Sequence, residues 1–434
     1  MFTRVRKSQL RRLREACLLA ALCASASFAA DATNLEIHVE ATAVAQVVAA
    51  PSERAEAPAF LSGLPGVALR SQGYGAPQAD LSIRGAPFSS SGLMISGLPL
   101  YNPQTEHFQA DLCIPSDIFA APELLTGLDQ FRFSAGHPAG SVAMTLAPID
   151  DLRRMEIGGG AGEQFGNLRA CASENTDANT VVGASAFGDW GSIASTDGYK
   201  DNYLNRAGGG GQLQMRKPDE QFDLLGAYGW RQFGARGFYG APAMFPSEEN
   251  VRESLVLGSA TFDGAADMPS HVTAGWQQTD DHYWLDRTDH DLYANHTVSD
   301  VASAHGDTRV MVNQDWAVDL RGDASEEWID GVHSGLFPGA GLGTHERGTA
   351  SGAVLPRYAF DDVTVTAGGA LDGFTDDRPA WLPAAGVEWR PIPNRRFALD
   401  YTEAVREPSY TELDYESPGS LGNSGLQPAA HARC

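Results

Sequence analysis

Asp197, Asp201 and Asn202 place three oxygen donors within one short stretch. Calcium takes six to eight such ligands, so this stretch is a candidate calcium loop. Its spacing matches no known calcium loop, and a solvated loop has the same composition. Asp280-Asp281-His282 and Asp289-His290-Asp291 also carry ligand-type side chains. They flank Tyr283-Trp284-Leu285, which reads as strand, and this favours solvated positions on a sheet over a metal centre. Gly158-Gly159-Gly160-Ala161-Gly162 and Gly208-Gly209-Gly210-Gly211 are glycine-rich. Neither opens a helix, so neither cradles a phosphate. Gly183-Ala184-Ser185-Ala186-Phe187-Gly188 lacks the correctly placed second glycine of a nucleophile elbow. No nucleophile stands beside a base, and no carboxylate pair can be placed for glycan hydrolysis. The chemistry that remains is binding, and the chain does not read as an enzyme.

The elements that would carry such binding are strands. Phe222, Leu224, Tyr228 and Trp230 alternate with Asp223 and Arg231. Val363, Val365, Ala367 and Leu371 alternate with Thr364, Thr366 and Asp372, and Phe397, Leu399 and Tyr401 with Ala398, Asp400 and Thr402. A two-residue period means strands with one apolar face. Lys217-Pro218-Asp219-Glu220 between two such runs predicts a hairpin. Trp230, Phe238, Tyr239, Trp284 and Trp381 lie near the ends of runs and suit interfacial girdles. A secreted sandwich or propeller would alternate too, but no fixed repeat of the propeller kind is present.

The first thirty residues read as a secretory signal peptide. Arg4, Arg6, Lys7, Arg11, Arg12 and Arg14 precede an apolar Ala16–Ala26 and a small-residue Ser27-Phe28-Ala29-Ala30. Removing them makes a chain of net charge −24 more acidic still. That balance opposes nucleic-acid binding, which needs basic patches. No later run of eighteen apolar residues is available for a membrane helix, and a barrel needs none. Cys113, Cys171 and Cys434 form neither a disulfide framework nor a zinc pattern. A Cys113–Cys171 bridge and idle thiols both remain open.

Residues 51–147 have another character. Ile83-Arg84-Gly85, Leu93-Met94-Ile95-Ser96-Gly97-Leu98-Pro99-Leu100, Glu106-His107-Phe108, Glu123-Leu124-Leu125-Thr126-Gly127 and Gly140-Ser141-Val142-Ala143-Met144-Thr145 follow one another. Short apolar runs ending at Gly or Pro suit a small, tightly turned α+β domain. The order of these motifs resembles the plug domain of TonB-dependent outer-membrane receptors, with its arginine–glycine strand, "DG-x-P" hairpin, "IEVLRG" strand and "GG-x-I-x-I-x-T" exit strand. Later segments are similar to barrel motifs of the vitamin B12 (cobalamin) and siderophore branch. These are Gly198-Tyr199-Lys200-Asp201-Asn202, Phe233-Gly234-Ala235-Arg236-Gly237-Phe238-Tyr239-Gly240 and Glu403-Ala404-Val405-Arg406-Glu407-Pro408-Ser409-Tyr410-Thr411-Glu412-Leu413.

The resemblance implies a signal peptide at 1–30, a flexible lead-in at 31–50, an α+β plug domain at 51–147 and an antiparallel transmembrane β-barrel at 152–434. Glu36, Ile37, His38, Val39, Glu40, Ala41 and Thr42 are similar to the TonB box. An energy-transducing TonB-type partner would take up this unpaired strand by edge pairing. Arg84 and Glu123 stand at the family's plug–barrel contact positions, whereas Ser96 and Thr126 replace its usual Asp and Arg. The implied function is uptake of a scarce external ligand, cobalamin or a metal chelate such as a ferric siderophore, across the outer-membrane lipid. A receptor-like binder that no longer transports is the alternative, and a secreted polysaccharide-active enzyme a distant third. Family barrels have twenty-two strands. The residues after Asp151 suffice for fewer, and Ala429-Ala430-His431-Ala432-Arg433-Cys434 does not read as strand. The expectation is therefore an incomplete barrel from a truncated chain.

Overall fold

The computed structural model describes residues 61–433 apart from 62, 74–76, 108–109, 111, 113, 115–117, 135, 150–153, 161–163, 195–202, 263–268, 337–340, 376–377, 393–394 and 418–419. Two units follow in chain order. The first is α+β. β1 (Val67–Gln72) and β2 (Gln78–Ile83) form an antiparallel pair. β3 (Ser91–Ile95), β4 (Leu98–Leu100), β5 (Glu123–Leu125) and β6 (Gly140–Met144) form a mixed sheet ordered β4-β3-β6-β5, with helix α1 (Gly127–Phe131) beside it. β3 and β6 run parallel. Every residue of β3 is buried, which is why it reads as one apolar run and not as an alternation. The β3–β4 turn is two residues long, with Ser96 at φ 50° and Gly97 at φ 82°. Two positive φ values give the tight turn whose twist matches a hairpin.

The second unit is a single antiparallel sheet. Its strands are β7 (Arg154–Gly160), β8 (Gln164–Asn175), β9 (Val181–Ala194), β10 (Tyr203–Lys217), β11 (Glu220–Gly234), β12 (Glu248–Phe262) and β13 (Ser270–Trp284). They continue with β14 (Tyr293–Met311), β15 (Trp316–Gly335), β16 (Gly343–Phe360), β17 (Val363–Phe374), β18 (Ala380–Ile392) and β19 (Arg395–Arg406). A loop carrying helix α2 (Tyr410–Asp414) and the small pair β20 (Glu416–Ser417) and β21 (Ser420–Leu421) leads to β22 (Ala429–Arg433). The sheet runs β22-β19-β18 and so on, through sequence neighbours, to β7, which makes 14 strands. The last residues, expected to be non-strand, are thus corrected. β22 lies along β19 with Thr402 opposite Arg433. The bare backbone edge of β19 supplies the ladder, so strand formation there owes little to side-chain preference.

Burial inverts the pattern of a soluble protein. Leu224, Tyr228 and Leu371 are 52%, 49% and 53% exposed, while Asp223, Thr366 and Asp372 are buried. A sandwich would bury the apolar face and wet the polar one. Here the apolar face looks outward, as a wall in lipid requires, and the polar face looks inward onto the first unit. The predicted hairpin is present, with Lys217 opposite Glu220. Short turns join strands at that end, and longer loops such as 235–247 and 407–428 join them at the other. Trp316, Tyr358 and Phe360 stack near the short turns, and exposed Trp190, Trp328 and Trp381 lie toward the loops. Two of the expected girdle aromatics are elsewhere. Gly237 at φ 77° turns its loop back into the mouth, where Phe238 is buried with Leu204 and Phe233, and the Tyr239 hydroxyl donates to Glu249.

Candidate functional site

The candidate site is the interface between plug and inner wall. One flank is apolar. Phe187 of β9, Leu225 of β11 and Leu255 and Leu257 of β12 point inward and join Leu61, Leu81, Leu93 and Val142 in one core. Leu225 and Leu257 are fully buried, and each such side chain contributes about 1.5–3 kcal/mol. The alternation of the strands did not mark these residues as inward-facing, because their inward partners are on the plug and not on neighbouring strands.

The other flank, from β13 to β19, is polar. At the tip of the β3–β4 turn the Ser96 amide donates to Met144 O at 2.7 Å, and Thr273 Oγ1 donates to Ser96 O at 2.6 Å. Gly97 rests on the ring of His305. That ring is enclosed, with Nδ1 2.6 Å from Asp323 and Nε2 2.9 Å from Asp307. Both ring nitrogens therefore lie within hydrogen-bond distance of a carboxylate. Around α1, Arg132 Nε lies 3.0 Å from Asp319, Arg321 donates to Phe131 O at 2.7 Å, and Arg396 reaches Asp129 at 2.9 Å.

Gly97→Ala tests the turn tip. An alanine at this φ costs about 1–2 kcal/mol in backbone alone, and its Cβ would overlap the His305 ring. Gly85 has a similar φ of 78° with nothing near its Cβ, so Gly85→Ala carries the backbone cost only. The urea midpoint for plug release should fall further in Gly97→Ala than in Gly85→Ala. Equal shifts would show that the turn does not rest on His305.

At the loop end, Tyr101 donates to Glu327 at 2.6 Å, and Arg347 lies 2.8 Å from Glu327 and 2.9 Å from Glu407, with its guanidinium over the Tyr410 ring. Arg406 bridges Glu106 at 3.1 Å and Glu412 at 2.8 Å. Burial pushes the Glu106 carboxyl up to about 8, outweighing the neighbouring Arg406. The first amides of α2, those of Tyr410 and Thr411, donate to Pro103 O and Gln104 O. Ser409 and Glu412 close a capping box at that helix start. Segment 406–414 therefore clasps plug residues 101–106.

Of the residues expected from the sequence, 36–42 and Asp197, Asp201 and Asn202 lie outside the described residues. Arg84 is exposed at φ 52°, its amide donating to Gly66 O, and Glu123 is exposed at the start of β5. Asp129, Arg132 and Glu106 on the plug meet Arg396, Asp319 and Arg406 on the wall. Of these, Glu106 and Arg406 stood in segments singled out beforehand. Asp280-Asp281-His282 is split by strand alternation. Asp281 faces inward and accepts from Gln104, while Asp280 pairs with His296 and His282 stacks on Trp284. Among the described residues no group of three or more His, Cys, Asp or Glu is placed to hold a metal ion.

Comparison with known proteins bears on this arrangement. The family described as "TonB dependent receptor-like, beta-barrel" matches residues 159–429, more than half of the chain. No curated protein matches it in sequence. Among solved structures it is similar to the siderophore receptor PirA from Acinetobacter baumannii, with TM-score 0.65, 11% identity, 87% of this chain and 65% of that chain covered. It is likewise similar to the ferric enterobactin receptor PfeA from Pseudomonas aeruginosa in complex with enterobactin, with TM-score 0.65, 11% identity and coverage of 86% and 66%. The FrpB iron transporter from Neisseria meningitidis gives TM-score 0.62, 12% identity and coverage of 81% and 62%. The chain thus spans less than two thirds of the length of each.

Proposed function

This chain belongs to the TonB-dependent receptor family, and on that premise we propose that it is a bacterial outer-membrane receptor for the energy-coupled uptake of a scarce ligand. The ligand is a ferric siderophore or cobalamin. It binds at the loop end of the plug, and a TonB-type partner pulls on residues 36–42 to shift the plug. The step is binding and passage, with no covalent chemistry. One observation carries the reading: a folded α+β unit sits against the polar inner face of a strand wall whose outer face is apolar. That is the arrangement of a gate in a membrane cylinder, because the wall excludes lipid and the plug excludes free flow. The siderophore receptors of similar fold favour a metal chelate. The missing Asp and Arg at Ser96 and Thr126 do not favour the non-transporting alternative. The turn at Ser96 is held by Thr273, and the α1 region by Asp129–Arg396.

The test uses cells carrying this chain and two probes, iron-55 enterobactin and labelled cobalamin. Uptake of one of them should drop to background when an uncoupler collapses the proton gradient, while surface binding persists. Uptake of neither probe, or uptake indifferent to the uncoupler, would overturn the proposal.

A further inference from the structure

At the loop end, the wall holds its cations in pairs. Arg347 lies between Glu327 and Glu407, and Arg406 between Glu106 and Glu412. Arg231 forks onto Glu253 at 2.8 and 3.2 Å. Arg236, Arg287 and Arg378 of the loops are engaged as well, Arg287 over the Tyr203 ring. On the plug, exposed Arg70 stands opposite Asp80 in the β1–β2 register. The one described lysine, Lys217, is at the short-turn end.

Carboxylates are in excess there. Segment 285–292 carries three and segment 407–428 four, while 235–247 has none. The arginines of the same three segments are Arg236 and Arg287. Asp289, Asp291, Glu412 and Glu416 are exposed. Deeper in, Glu249 and Asp281 are buried and accept from neutral groups, Tyr239 and Gln104. Asp281 Oδ1 has no hydrogen-bond partner among the described residues.

Rings are the other feature of this end. His107 of the plug stacks on Phe88 with centroids 4.1 Å apart, and Asp80 lies 2.9 Å from its Nδ1. Tyr239 stands next, 6.4 Å from His107 and 5.7 Å from Tyr283. Its hydroxyl is fixed on Glu249, yet the residue is 50% exposed. Phe88, His107 and Tyr239 thus form one platform shared by the plug and a wall loop. Such rings offer contact area without charge.

We propose that this mouth takes an uncharged chelate and turns anionic ones away, with the Phe88–His107–Tyr239 platform as contact surface and the loop carboxylates as charge filter. The inference rests on the uptake reading above and chooses between its two ligand classes. A ferric catecholate is anionic. To meet a wall arginine it must draw that arginine off its own carboxylate, which is then left bare. It also approaches a cleft whose rim is mostly of its own sign, and clefts concentrate such fields. An uncharged chelate with amide side chains meets neither cost and still covers the rings.

The experiment varies the charge of the ligand and leaves the chain alone. Outer membranes carrying the full chain are offered labelled cobalamin, and the same molecule with its side-chain amides hydrolysed to carboxylates. The hydrolysed form should bind at least tenfold more weakly in dilute buffer. The gap should close in about 1 M salt, where screening acts within a few ångströms. Asp289→Asn, Asp291→Asn and Glu416→Gln combined should narrow it in dilute buffer too. These three side chains are exposed, so the fold does not depend on them. Phe88→Leu should weaken both forms alike, by about tenfold. In intact cells cobalamin should be the probe taken up, with iron-55 enterobactin at background. Uptake of enterobactin, or equal binding of the amide and carboxylate forms, overturns the inference and leaves the uptake reading standing. A gap untouched by the triple change, or binding indifferent to Phe88→Leu, overturns it as well. Cells that take up neither probe remove the underlying reading instead.

Discussion

Deleting residues 36–42 is expected to abolish uptake while leaving ligand binding within about twofold of the intact chain. The physical reason lies in how force reaches a plug. Glu36-Ile37-His38-Val39-Glu40-Ala41-Thr42 has the β-branched and alternating character of an extended strand. Such a strand adds to a partner's sheet edge through main-chain hydrogen bonds, which lie in a row and share load. On the proposed reading the ligand binds at the loop end of the plug, and the deletion leaves Tyr101, Glu106 and their wall partners in place. Measuring surface binding and accumulated probe in the same cells separates the two. Accumulation that survives the deletion would rule out energy coupling through this segment. Loss of binding as well would place the segment in the fold and not in the coupling.

Arg347→Met should cost about 3–5 kcal/mol, the usual loss when one member of a buried ion network is removed. Arg347 lies between Glu327 and Glu407, donates to Pro408 O and covers Tyr410. The Glu327 side chain is 2% exposed, so it cannot turn to water when its arginine is lost. Tyr101 still donates to it, which sets the cost below that of a wholly bare carboxylate. Glu327→Gln with Arg347→Met should recover a good part of the loss, because the uncompensated charge is gone. The urea midpoint for plug release in the two singles and the double gives the coupling. A double variant no better than Arg347→Met would show that packing on Tyr410, and not charge, is what the arginine supplies.

Several features were legible because they are local. The two-residue period around Asp223 and Leu224 needs only neighbouring residues to be read, and it gave strands with faces of opposite polarity. The Lys217–Glu220 hairpin follows from Pro218 and Asp219. The α+β character of the plug follows from its short runs and glycines, and the order of its motifs from a chain read end to end. Other features were not legible. Arg406 meets Glu106 across 300 positions of chain and Arg321 meets Phe131 across 190, and no local pattern carries such a pairing. Phe238 and Tyr239 were placed on the outside because aromatics near strand ends often lie there. The positive φ at Gly237 sends them inward instead. β22 was unexpected because Ala, His and Arg carry little strand preference, and a waiting backbone edge made that preference irrelevant.

The sequence by itself determined the period of the strands, the polarity of their two faces, the two-part organisation and the acidic charge. All of these are properties of residues a few positions apart. Only the tertiary structure decided which face is buried, which arginine meets which carboxylate, and where the lumen stays hollow. Those outcomes depend on sheet register and on how the plug is set against the wall. A shift of one residue in register would send Ser325 and Thr349 out toward the membrane side and bring their alanine neighbours in.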